Sequence, residues 1–243
     1  TGWFRISTVD PGTCDDSFGT RVPATSGTDL GSGTVSVPYS ITTTGLSPGT
    51  VYYFCAIVSN ASGLAVGGVL SFTTPDVPVV TTTPPTNITN TTATLEGLAN
   101  PQASTTTGWF RYGTTNPGTC NDTFGSRAPT TGGTALGTGT APVPYTRAVS
   151  GLSPGTTYYV CAIAQNAIGT SFGAVLSFTT LPSVPAVNTN SATLLTGASA
   201  QLNGTANPGG GATTGWFRYA TTSPGACNDT FGTRAPAAGG SAL

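Results

Sequence analysis

Between Thr92 and Asn100 the chain reads TATLEGLAN, with apolar and polar side chains alternating at a period of two. That period marks a strand with one buried face. GWFRYGTT (Gly108 to Thr115), TYYVCAIAQNA (Thr157 to Ala167) and GAVLSFTT (Gly173 to Thr180) follow, each bounded by Gly, Pro, Asn or Thr clusters that end strands. No stretch reads as an amphipathic helix. Short alternating strands at this spacing predict an all-β sandwich whose two sheets each bury one face.

The pattern also repeats on a longer scale. TGWFR begins at Thr1, Thr107 and Thr214, a period of 106 and then 107 residues. Cys14, Cys120 and Cys227 share one repeat position, and Cys55 and Cys161 share another. One domain type is therefore copied in tandem: a partial repeat at 1–76, a complete one at 77–180 and a partial one at 181–243. The connecting segments TTPDVPVVTTTPPT (Thr73 to Thr86) and TTLPSVPAV (Thr179 to Val187) are punctuated by Pro, which stiffens a spacer. Because the first and last 30 residues are equivalent, the sequence predicts a window of two periods plus an overlap, taken from a longer array. Strand exchange between molecules is the alternative.

The segment GLSPGTTYYVCAIAQNAIGTSFGAVLSFTT (Gly151 to Thr180) and its copy from Gly45 to Thr74 resemble the last two strands of a fibronectin type III domain, with Leu152, Pro154, Thr156 and Tyr158 alternating. ATLEGLANPQASTTTGWFRYGTT (Ala93 to Thr115) is similar to strands B and C of versions of that domain found in bacterial surface and secreted proteins. The resemblance spans nearly the whole chain except about 116–142. It implies tandem immunoglobulin-like sandwiches and is nearly silent on function.

If Tyr158 is the corner tyrosine that the resemblance implies, Val160, Ala162 and Ala164 face the core, and Tyr159, Cys161 and Ile163 face outward. The same logic places Phe110 and Tyr112 inside, with Trp109 and Arg111 outside. Such an apolar outer patch needs a cover or a use. The departure from the family suggests a cover, an insertion of more than twenty residues after strand C that carries Cys120, Phe124 and Leu136. A Cys120–Cys161 disulfide would pin it, with Phe124 or Leu136 against Trp109 or Tyr159. Cys14–Cys55 would be its equivalent, and Cys227 is left without a partner in this chain. Closing a loop of this length is worth roughly 4 kcal/mol in the chain-entropy model.

Composition narrows the chemistry. Charged residues make up 6%, there is no His, Lys or Met, and the seven Arg are scattered among eight acids. No basic footprint for nucleic acid exists, and no apolar run approaches the ~18 to 20 residues of a membrane helix. Two Cys and no His per repeat do not make a zinc site, and Asp15 with Asp16, or Asp122 alone, is a thin calcium set. No cofactor is expected. The complete repeat holds only Glu96 and Asp122 as carboxylates, a poor pair for glycoside hydrolysis, so no enzymatic activity is expected. Arg127 is a candidate surface partner of Asp122.

Trp3, Trp109 and Trp216 are the candidate surface contacts, since exposed tryptophans stack on sugar rings; burial beneath the insertion is the competing reading. Taken together, the sequence predicts a structural segment of an extracellular or cell-surface rod, stalk or filament, contacting neighbouring repeats or other copies of itself. The alternative is an accessory, carbohydrate-binding or adhesive module of a larger secreted protein.

Overall fold

The computed structural model describes residues 1–243, and every regular element in it is a strand. The first copy supplies β1 (Gly2–Ser7), β2 (Thr20–Val22), β3 (Val51–Asn60), β4 (Gly63–Val66) and β5 (Leu70–Thr73), joined in one antiparallel sheet. The complete copy supplies β6 (Val79–Thr86), β7 (Thr92–Asn100), β8 (Thr106–Gly113), β9 (Ser126–Ala128), β10 (Thr134–Gly137), β11 (Val143–Ser150), β12 (Thr157–Gln165), β13 (Thr170–Phe172) and β14 (Leu176–Thr179). The last copy adds β15 (Ala186–Thr193), β16 (Gln201–Asn207), β17 (Thr214–Gly215), β18 (Phe217–Tyr219), β19 (Thr233–Ala235) and β20 (Ser241–Ala242). The architecture is a tandem of immunoglobulin-like β-sandwiches.

In the complete copy one sheet runs β11-β7-β6, and the other is built on the β8–β12 pair. Alternation along β7 turns Ala93, Leu95 and Ala99 into the core at 2% exposure or less. Phe110, Val160, Ala162 and Ala164 meet them from the opposite sheet. Gly97 marks the closest approach, since a Cβ there would stand 2.8 Å from the Ala162 Cβ. The phenol of Tyr158 accepts a hydrogen bond from Ser153 N at 2.9 Å, as Tyr52 does from Ser47 N at 3.0 Å. Thr180 ties the same corner by accepting from Thr156 N and donating to Ser153 O. A tight turn is thus held by side chains that each strand already carries.

The insertion is more regular than its Gly/Thr composition suggests. Both β9 and β10 pair with β8, along the edge that β12 leaves free. Of the two side chains expected over the outer face, Phe124 takes that place and Leu136 does not. A register shift between Ala135 and Gly137 turns Leu136 into the sandwich core, where it lies over Gly108 beside Tyr145. It does not cover the outer face.

The first copy has no hairpin packed on the inner face of its sheet. Phe4 is half-buried beneath Tyr39, with ring centroids 5.0 Å apart, and Phe72 stacks on Tyr52 at 5.7 Å. Tyr52 reaches 9% exposure by this route, although no second sheet covers it. An open cavity of about 410 Å³ remains, walled by Phe4, Ile6, Tyr39, Phe54 and Phe72.

Candidate functional site: the stapled outer face and the repeat junctions

The outer face of the β8–β12 sheet carries a second, smaller core. Cross-strand pairing sets Ile163 opposite Trp109 and Cys161 opposite Arg111. Cys120 and Cys161 are disulfide-bonded with their Cα atoms 6.0 Å apart. Phe124 packs with them against Trp109 and Ile163, held in a turn in which Asn121 Oδ1 accepts from Thr123 N and Phe124 N, each at 3.0 Å. Such Asx turns let one side chain replace missing ladder bonds.

Asp122 organises the polar side of this face. Trp109 Nε1 donates to Asp122 Oδ1 at 2.8 Å, and Arg111 Nε donates to the same oxygen at 2.9 Å. Burial works to raise the Asp122 pKa, but the Trp109 and Arg111 hydrogen bonds and the Arg111 and Arg127 charges outweigh it and hold the carboxyl below its ordinary value. Arg127 does not pair with Asp122, which corrects the sequence expectation. Its guanidinium lies 4.6 Å from the Trp109 ring centroid and is fixed there by donating to Pro129 O and Gly132 O. The Arg111 side chain already occupies Asp122, and the aromatic face offers the second cation a partner.

All three copies build the same constellation. Asp16 accepts from Trp3 and Arg5 at 2.8 and 2.9 Å, and Asp229 accepts from Trp216 and Arg218 at 2.7 and 3.2 Å. The Arg5 and Trp3 hydrogen bonds hold Asp16 below its ordinary value, and those from Trp216 and then Arg218 do the same for Asp229. Arg21 and Arg234 lie 4.6 Å over Trp3 and Trp216. A signal for this existed in the sequence, because each Trp precedes its Asp by the same 13 residues.

The candidate tryptophans divide. Trp3 and Trp109 are 6% and 5% exposed, so neither is a surface contact; the stapled insertion and the stacked arginine enclose each ring. Trp216 is 41% exposed, with no strand equivalent to β12 beside it. Cys14 and Cys55 are bonded with Cα atoms 6.1 Å apart, while Cys227 is free and exposed. Glu96 and Asp122 sit on the outer faces of opposite sheets, and Glu96 accepts from Thr86 Oγ1. No three Cys, His, Asp or Glu residues gather into a cluster.

The joints fall in the Pro-punctuated connecting segments, and the contacts that fix them were not evident in the sequence. At the first, Gly49 N donates to Pro75 O, Asp76 N donates to Gln102 O, and the Asp76 carboxylate fills the space where a Gly49 Cβ would stand. Asn166, 9% exposed, binds three segments at once. Its Nδ2 donates to Asp76 O at 2.7 Å and Pro101 O at 3.3 Å, and its Oδ1 accepts from Ile168 N and Gly169 N. At the second joint Gly155 N donates to Leu181 O and Ser183 N to Gly209 O. There Gly155 meets Gly210 so closely that a Cβ on Gly155 would come within 2.2 Å of Gly210 O. Both glycines have positive φ, 56° and 84°, so any side chain at either is strained as well as crowded. The one-residue difference between the two periods lies in these linkers, Pro75-Asp76 against Leu181-Pro182-Ser183.

The geometry defines a class, a chain of immunoglobulin-like sandwiches with a stapled outer face. Among solved structures, the chain is similar to the sensor domain of the anti-sigma factor RsgI4 of Pseudobacteroides cellulosolvens in its short form, with 19% identity, TM-score 0.32, and coverage of 43% of this chain and 94% of that one. It is also similar to the chicken CNTN1 FN1–FN3 domains, with 15% identity, TM-score 0.32, and coverage of 56% of this chain and 45% of that one. No protein-family model and no curated protein matches the chain.

Proposed function

We propose that this chain is a structural repeat segment of an extracellular rod, stalk or filament at a bacterial cell surface. The observation that carries this reading is the pair of joints, in which a linker of a few residues is hydrogen-bonded to the copy before it and the copy after it. Relative motion of domains is the default where contacts are few; here a hinge would have to break backbone bonds and expose Asn166. Two disulfides suit an oxidising compartment. Enclosed Trp3 and Trp109 weigh against the carbohydrate-binding alternative, because a sugar needs an open ring face.

The test is small-angle scattering on this chain and on versions lengthened by further copies of residues 77–180. A stiff array gains roughly 30 Å of maximum dimension per repeat, the length of a nine-residue strand, at constant cross-section. Growth as the square root of repeat number would contradict the reading.

A further inference from the structure

We propose that the Cys120–Cys161 disulfide is a stop against tension: when an array of these repeats is pulled along its length, the bond caps the distance that a repeat can be drawn out. Residues 121–160 stay outside the load path.

The place of the bond in the β8–β12 pair carries the argument. Load enters the complete copy at β6, which begins beside the first joint, and leaves at β14, which ends beside the second. Each of these end strands is bonded to an antiparallel neighbour, β6 to β7 and β14 to β12. Tension pulls each along its own axis, so the rungs of its ladder resist together. Once both end strands are drawn out, the load falls on Thr106 and Gln165. They lie at one end of the β8–β12 pair, where Thr107 faces Gln165, beside the Asn166 that donates to Asp76 O and Pro101 O. From that end the pair opens one rung at a time, past Trp109 opposite Ile163, and arrives at Arg111 opposite Cys161. When residues 112–119 are taut, the load passes from Cys120 directly to Cys161.

Behind the stop lie the parts that close the outer face. Asp122, Phe124, Arg127, β9, β10 and β11 all fall between the two cysteines, so tension along the backbone does not reach them. The stop also keeps the two sides of the opened pair together. Re-zipping then starts from a 41-residue loop that is already closed, which removes entropy that a free chain must lose on folding. The first copy puts its bond on the same rung, Arg5 opposite Cys55, and Cys14–Cys55 also spans 41 residues. The device is therefore repeated along the array.

Single-molecule pulling by the two ends of the oxidised chain carrying Cys227→Ser tests the proposal. The comparison is the same chain with Cys120→Ser and Cys161→Ser, whose fully drawn-out length should be greater by the 41-residue loop, roughly 140 Å at ~3.4 Å per residue. On relaxation the stapled chain should recover its folded length faster, by roughly tenfold or more. A second readout does not depend on that variant folding. Adding a small dithiol to the oxidised chain held drawn out at constant load reduces each staple to two thiols, the dithiol being oxidised to its own disulfide. Two further steps of equal length should follow, one per staple, because both bonds span 41 residues. Equal drawn-out lengths with and without the two cysteines, no lengthening on reduction, or equal recovery rates would overturn the proposal. The stop rests on the proposed rod for its use, since only a load-bearing array is drawn out. Scattering from the unloaded chain reports stiffness alone, so the two readings fail separately.

Discussion

The first copy and the complete copy carry the same central sheet, and its two faces fare differently in each. On the inner face, Phe110, Val160 and Ala162 are sealed under the β6–β7 hairpin, while their counterparts Phe4, Phe54 and Ala56 border an open cavity or lie half-buried. On the outer face there is no such contrast: Trp3, Cys55 and Ile57 are as enclosed as Trp109, Cys161 and Ile163. The stapled insertion thus completes its small core using only residues of its own sheet. A domain that ordinarily depends on two sheets meeting has gained a second, local source of order.

The largest expected effect comes from removing that source. Cys120→Ala with Cys161→Ala should cost the complete copy about 4 kcal/mol, read from denaturant midpoints, and should open Trp109 to a soluble fluorescence quencher. Unchanged stability would mean that β9 and β10 hold the insertion alone. Asn166→Ala strips partners from two carbonyls and two amides at the first joint and should cost about 2 kcal/mol, with a measurable loss of stiffness but no change in outer-face fluorescence.

Asp122→Ala leaves the Trp109 N–H and Arg111 without their acceptor. Because the Asp122 side chain is 42% exposed and water replaces part of the loss, about 1 kcal/mol is expected. The same group predicts a pH response. Its folded pKa is lowered, as are those of Asp16 and Asp229, so the stabilisation is fully present above the unfolded carboxylate value of about 3.9 and is lost as pH falls through the folded values. Thermal midpoints should be flat above pH ~5 and decline below ~4, with a shallower decline in Asp122→Ala. The smallest effect is that of Arg127→Ala, about 0.5 to 1 kcal/mol for a half-buried cation over an indole.

Strand alternation was legible wherever a strand was long enough to show it, as β7 shows, spanning Thr92–Asn100 as its period predicts. The outward placement of Trp109, Cys161 and Ile163 followed from the same rule. Which of Phe124 and Leu136 covers that face was not legible, because β10 is four residues long with an irregular register, too short for a period to reveal where Leu136 points. Arg127 was misassigned because two arginines competed for one carboxylate, and sequence proximity does not say which wins. The joints were illegible for a different reason. Gly155 and Gly210 read as ordinary turn glycines until their contact makes each the only residue that fits.

Hydrogen exchange on the oxidised chain tests most directly whether the outer face orders its sheet without the inner core. Amides of β1 and β3 should exchange far more slowly than unfolded chain while Cys14–Cys55 is intact, though faster than those of β8 and β12, and should lose that protection on reduction. Exchange in β1 and β3 at the unfolded rate with the disulfide in place would contradict the account.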